Sequence, residues 1–268
     1  MDDLLRTGDV ATLAGVGPTA VKRWADAALL TVVRTAGGHR RYRRSEVEQF
    51  LRTRGARVSD GEPWADLLVR PGEPRWLEGR LLSERARCGS WWRVADSLGE
   101  ALVELGRRWA EGALTVAEEH MASERLARAL AHLAEALPLD PAAPCALLAC
   151  AEGEEHTLGL SLAEVVLREN GWPTRFIGRS TPRGDLVRLT GVDGAGLLGV
   201  SASAASNDPA ALAATASALG EACDRNGLLL ALGGAGAWPE QPSYGSRFHS
   251  MEAFHLFTRA AREKAAPR

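Results

Sequence analysis

The sequence predicts a multidomain protein: an α-helical helix-turn-helix head, a helical bundle, and an α/β domain with a doubly wound parallel sheet. Three observations predict it. The 268 residues exceed one average domain at roughly 100–200 residues each. Residues 1–54 hold ten basic residues against six acids, a net of +4, while the whole chain carries –2. A basic head on an acidic body meets a polyanion while the body does something else. Third, the apolar rhythm is helical from Trp76 to Leu137 and alternates strand with helix beyond Pro144.

In the head, Thr7-Gly8-Asp9 precedes Val10, Leu13 and Ala14 at helical spacing, closed by Gly15-Val16-Gly17. Pro18 stands in the first turn of a second helix through Lys22, Arg23 and Trp24 to about Ala28, where a missing N–H costs nothing. Two short helices across a tight Gly turn form a helix-turn-helix. Thr31-Val32-Val33-Arg34 and His39-Arg40-Arg41-Tyr42 then flank Thr35-Ala36-Gly37-Gly38, which predicts a hairpin. Ser45 is expected to cap a last helix over 46–54. The head domain is set at 1–55.

Gly, Pro and charge crowd residues 56–75, which reads as a linker. The bundle, 76–140, follows. Val94, Leu98, Ala101, Leu102, Leu105 and Trp109 keep helix spacing, as do Leu114, Ala117, Met121, Leu126, Leu130, Leu133 and Leu137. Thr115-Val116-Ala117-Glu118 has the form of a capping box opening the second run.

Residues 141–268 make the sheet domain. Strands are expected at 145–150, 174–177, 196–201 and 228–232, and helices at 158–169, 185–190, 209–225 and from Met251. Such alternation implies a parallel sheet whose ligands bind beyond the carboxyl ends of its strands. Loops 151–159, 178–183, 201–208 and 233–243 are therefore the candidate functional loops.

No apolar run reaches the roughly 18 residues of a membrane span, and Met1-Asp2-Asp3 does not open a signal peptide. A cytoplasmic protein without a membrane partner is expected. Cys88, Cys145, Cys150 and Cys223 form no CxxC pair and no metal spacing, so they read as plain thiols.

Helix two of the head offers Thr19, Lys22 and Arg23, residues suited to base edges and phosphates in a major groove. The hairpin adds Arg34, His39, Arg40, Arg41 and Tyr42 for phosphates or the neighbouring minor groove. Charge alone also fits a solvated basic face. Thr35-Ala36-Gly37-Gly38-His39-Arg40-Arg41-Tyr42 directly after a helix-turn-helix resembles the winged head of MerR-family transcription regulators. The resemblance implies double-stranded operator DNA as partner.

Glu154-Glu155-His156-Thr157-Leu158-Gly159 follows the first strand. An imidazole there can reach a metal, and a flanking carboxylate can take its other N–H. Gly159 lets a nucleotide-like tail pass close to a helix start. From the residues alone, a loop His is also an ordinary structural or solvent-facing one. Glu-x-His-x-x-Gly, then Ser201 and Gly233-Gly234, resembles the Rossmann-like cobalamin-binding domain of methionine synthase and corrinoid mutases. By that resemblance His156 is the lower axial ligand of cobalt, and the displaced base lies in a sheet-side channel. Two departures stand out: Glu154 replaces the common Asp, and the usual Ser-x-Leu reads Ser201-Ala202-Ser203.

Trp109 followed after nine residues by Glu119-His120 resembles the motif of the CarH/LitR-type regulators, adenosylcobalamin-dependent photoreceptors within the MerR family. There the Trp covers the adenosyl group, and Glu-His lies over the upper corrin face. A His directly after that Trp ligates cobalt once light expels the adenosyl group; here the position is Ala110. His132, His249 and His255 receive no role.

The resemblances imply a non-enzymatic, cobalamin-dependent, light-responsive repressor, with adenosylcobalamin or another cobalamin as cofactor. They imply operator binding as a dimer or tetramer, with affinity changing when the cobalt–carbon bond is cleaved. The rivals are a corrinoid carrier or methyltransferase-like module, and a MerR-type regulator whose sensor takes another chromophore or ligand. The sequence offers no second catalytic domain for the first rival, and a DNA-binding head makes little sense on a carrier.

Overall fold

The computed structural model describes residues 3–14, 17–26, 29–35, 37–55, 62–70 and 74–265. They form two compact units, Met1–Pro138 and Leu139–Arg268. The expected turn residues Gly15, Val16 and Ala36, the helix end at Ala28 and part of 56–75 lie outside the described residues.

The first unit opens with β1 (Leu4–Arg6), α1 (Thr7–Ala14), α2 (Pro18–Asp26), β2 (Val33–Arg34), β3 (Arg40–Arg43) and α3 (Arg44–Gly55). The hairpin β2–β3 is present, and β1 pairs antiparallel with β3 on its other side, Leu5 opposite Tyr42. Three residues are too short for a strand period to register, so β1 was not foreseen. Helix α3 starts at Arg44, one residue ahead of the expected cap Ser45.

The unit continues with α4 (Trp64–Val69), α5 (Pro74–Cys88), α6 (Trp91–Ala110) and α7 (Val116–Ala136). The expected linker thus contains a helix, and Trp64, Leu67 and Leu68 are buried in it. Pro63 is the N-cap of α4 and Pro74 opens α5, positions where proline starts a helix as readily as it breaks one. The capping box at Thr115 is present in both directions.

Head and bundle share one core. Helix α3 packs on α5, and Val47, Leu51, Leu77, Leu81 and Leu82 are all buried. The Ser83 hydroxyl donates to the Leu51 carbonyl at 2.6 Å, and the Gly17 amide donates to the Ala136 carbonyl at 2.8 Å.

The second unit runs β4 (Cys145–Cys150), α8 (Leu158–Glu169), β5 (Thr174–Gly178), α9 (Arg183–Leu189), β6 (Ala195–Ser201), α10 (Pro209–Asn226), β7 (Leu229–Gly233), β8 (Ser246–Arg247) and α11 (Met251–Ala265). The sheet order is β5-β4-β6-β7-β8 and each pairing is parallel. This is the doubly wound, Rossmann-like sheet. All six residues of β4 are buried, as a central strand covered on both faces requires. The order reverses between β4 and β6, so the crevice beyond Cys150 and Ser201 is the ligand position of this topology. The short strand β8, two residues long, escaped the sequence pattern. No helix of the described residues is long and apolar enough to cross a membrane.

Candidate functional site

The first candidate site grows from the carboxyl end of β4. The Ala151 amide extends the β4–β6 ladder to the Ser201 carbonyl at 2.9 Å, and the Glu154 amide then turns back on the Ala151 carbonyl at 3.0 Å. This turn delivers Glu154 inward, 1% exposed, and leaves the His156 side chain 68% exposed. Glu154 Oε1 accepts from the His156 amide at 2.8 Å and lies 2.6 Å from His156 Nδ1. Its Oε2 accepts from the Ser203 amide at 2.6 Å and the Ser206 hydroxyl at 2.7 Å.

Burial by itself would raise the Glu154 pKa. The hydrogen bonds from Ser206, the His156 amide and Ser203 outweigh it and bring the carboxyl down to about 2. An ionised carboxylate only accepts, so Nδ1 of His156 carries the hydrogen, and a neutral ring in that tautomer has its lone pair on Nε2. A lone pair on an exposed, oriented imidazole is the donor that cobalt or another transition metal takes.

Gly159, Ser201 and Gly234 converge beside this network. A Cβ on Gly159 would stand 3.3 Å from Ser201 Oγ; one on Gly234 would stand 3.2 Å from it and 2.2 Å from the Ala202 carbonyl oxygen. Gly234 also has φ of 85°, the left-handed region. Gly233 anchors the same loop through its carbonyl, which accepts from the Trp238 indole at 3.0 Å and the Ala202 amide at 3.1 Å. The absence of side chains at Gly159 and Gly234 lets these segments close on Ser201 and Ala202, while Gly233 faces open space at the end of β7.

A second candidate surface lies on α6 and α7. Trp109 is 51% exposed, and the His120 side chain is exposed. Glu119 is half-buried and accepts from the Ser123 hydroxyl at 2.5 Å. Trp109 and Met121 thus leave the apolar stripe to which helix spacing assigned them. The buried face of α6 ends at Leu105 and that of α7 begins at Ala122, so the ends facing the 111–115 turn outrun their packing partners.

In the head, Thr19, Lys22 and Arg23 are exposed on α2, and Arg34 and His39 on the hairpin. Three hairpin residues are engaged within the head itself. Tyr42 is fully buried, so its side chain is not on the surface that DNA would meet. Arg40 spans from β3 to Asp26 at 2.8 Å and to the Lys22 carbonyl at 3.4 Å, fastening the wing to the end of α2. Arg41 is half-buried and bonds the Arg40 carbonyl at 3.1 Å.

Comparison with known proteins matches residues 4–55 to the helix-turn-helix domain family and residues 94–134 to the B12 binding domain family. The HTH-type transcriptional repressor CarH of Myxococcus xanthus is 29% identical over 222 residues, 68% of this chain and 73% of that protein. The HTH-type transcriptional repressor CarA of the same organism is 41% identical over 69 residues, 26% of this chain and 24% of that protein. The chain is CarH-like: a helix-turn-helix domain joined to a B12 binding domain.

The Methanosarcina barkeri monomethylamine corrinoid protein has a similar fold. Its TM-score is 0.53 at 16% identity, covering 74% of this chain and 95% of that one. The B12 binding match falls on α6 and α7, the helices that expose Trp109 and His120. In this CarH-like frame, sequence reasoning missed three residues that build the His156 site. Ser206 completes the Glu154 shell, and the loop spacing of Ser201, Ser203 and Ser206 was the available signal. Ser180, at φ of 47°, donates its amide to the Glu154 carbonyl at 2.8 Å. Arg247 binds the Trp238 carbonyl at 2.5 Å and the Gly236 carbonyl at 3.1 Å, which holds the loop after Gly234; nothing in the sequence marks it.

Proposed function

We propose that this chain is a non-enzymatic, cobalamin-dependent repressor that binds operator DNA through α2 and its wing. The observation that carries the reading is the Glu154–His156 pair, a buried carboxylate that fixes an exposed imidazole with Nε2 available. His156 would be the lower cobalt ligand, with Glu154 orienting it and Ser203 and Ser206 holding Glu154. Gly159, Ser201, Gly233 and Gly234 would accommodate the displaced base and its tail. Trp109, Glu119 and His120 would contact the adenosyl side, the indole excluding water and the polar pair bonding a ribose.

Bound adenosylcobalamin would supply a light-labile cobalt–carbon bond, making DNA affinity and dimer or tetramer assembly light-dependent. Ala110 has no donor atom, so no imidazole from that position ligates cobalt after illumination. Thr19, Lys22 and Arg23 would read the major groove, with Arg34 and His39 on flanking phosphates. The head and the similarity to CarH favour this over a corrinoid carrier, although the fold resembles that of a corrinoid protein over 74% of this chain.

The test is the absorption spectrum of purified protein with adenosylcobalamin, before and after green light, for the unmodified chain and His156→Ala. A bound spectrum that light changes is expected, with His156→Ala shifted toward the unligated-base form. Tight binding with an unchanged spectrum in His156→Ala overturns the ligand assignment. Turnover with methyl donors supports the carrier instead.

A further inference from the structure

Helix α7 has two ends of different kinds. Its first turns carry Glu119 and His120, the residues proposed above for the cofactor. Its last turn leaves carbonyls without an intrahelical partner, as every helix does. One of them, Ala136 O, accepts the amide of Gly17 at 2.8 Å, and Gly17 is the residue directly before recognition helix α2. Gly17 therefore caps α7.

The fit is close. A Cβ at position 17 would stand 2.8 Å from the Ala136 oxygen and 3.6 Å from the Pro138 nitrogen, so only glycine allows the approach. Gly17 O also accepts the Ala20 amide at 3.0 Å, so the residue that caps α7 starts α2 as well. Leu133, Ala134 and Leu137 are buried around the joint. Helix α7 is 21 residues long, about 31 Å of continuous helix.

We propose that Gly17 is a positioning residue that couples α7 to the recognition helix: displacement of α7 at its Glu119–His120 end reaches α2 through the Gly17–Ala136 bond. The inference rests on the cobalamin-dependent reading above. Both sites bias one packed element, which is the physical requirement for coupling. The Ser83–Leu51 bond joins α5 to α3, away from both α7 and α2.

The experiment compares operator affinity with and without adenosylcobalamin for full-length wild type, Gly17→Ala and Ser83→Ala. In wild type the two affinities should differ by a coupling of about 5–150-fold. In Gly17→Ala, cobalamin should bind with an unchanged spectrum while that ratio collapses toward one; Ser83→Ala should keep it. A folded Gly17→Ala with the wild-type ratio overturns the inference and leaves the cobalamin reading intact. Wild type with no ratio at all, despite bound cobalamin, overturns both. Should Gly17→Ala not fold, hydrogen exchange on wild type decides. Cobalamin should change protection at residues 17–20 together with 116–121, and a change confined to 116–121 refutes the relay.

Discussion

Replacing Glu154 with Gln removes one charge and one acceptor from the most constrained part of the candidate cobalt site. The carboxylate serves four donors, two on each oxygen. An amide nitrogen in place of Oε1 meets the His156 amide and Nδ1; in place of Oε2 it meets the Ser203 amide. Either orientation leaves a buried backbone donor without an acceptor, which costs about 1–3 kcal/mol.

The pH dependence follows from the carboxyl sitting at about 2 when folded against an ordinary 4.5. A depressed folded pKa contributes stability that is fully present above about pH 4.5 and is lost as pH falls toward 2. At 1.36 kcal/mol per unit, the contribution is about 3 kcal/mol at most. Wild type should therefore exceed Glu154→Gln in urea or thermal unfolding at pH 7, and the gap should narrow as pH falls through 4 and 3. Freed from its carboxylate, His156 loses its fixed tautomer, and cobalamin affinity should drop about 10–100-fold. Absorbance titration with cobalamin measures the second effect. Wild-type affinity in a folded Glu154→Gln, with a pH-independent stability gap, would refute the reasoning.

Gly234→Ala forces a Cβ to within 2.2 Å of the Ala202 carbonyl oxygen at φ of 85°. It should lower the melting temperature by the equivalent of about 1–3 kcal/mol and weaken cobalamin binding, both read in one thermal-shift series with and without ligand. Arg23→Ala should cost on the order of 1–3 kcal/mol at one base pair if it reads a base, or flatten the salt slope by about one unit if it meets a phosphate. Arg40→Ala should behave differently, because its guanidinium is engaged by Asp26. Affinity should fall with little change in salt slope, and Asp26→Asn should reproduce the loss; a full unit of slope in Arg40→Ala makes it a phosphate contact after all. Ala110→His adds an imidazole beside Trp109. After illumination it should give a persistent spectrum with a second histidine on cobalt, and a crystal structure of the illuminated unmodified chain with such a ligand contradicts the role of Ala110.

Most of the sheet unit was legible because its strands and helices are long, periodic and separated by turn residues. Strand β4 and helix α8 fall on the residues the pattern predicts, 145–150 and 158–169. Local chemistry was equally readable where one segment contains it all, as in the Thr115–Glu118 capping box. Glu154 and His156 are two residues apart, so their pairing was visible in the string. Ser206 lies fifty-two residues from Glu154, and Arg247 on β8 reaches back to Gly236 and Trp238 in the loop after β7. No local pattern encodes such contacts, which exist only once parallel strands bring the loops after them to one edge.

What the sequence by itself determined was the order of modules, the residue types available for chemistry and the elements whose hydrophobic period runs for several turns. Period and turn chemistry are properties of neighbours along the chain, and folding does not alter them. The tertiary structure alone decided which residues are inside. It buried Tyr42, exposed Trp109 and Met121, tied Arg40 to Asp26, and turned the proline-rich stretch before α5 into packed helix. Apolar spacing says which face of a helix can be buried, but how far that face stays covered depends on where its partner ends. The same holds for Gly17, whose amide caps a helix more than a hundred residues away because the packing of α1 and α3 on α5 brings the two ends together.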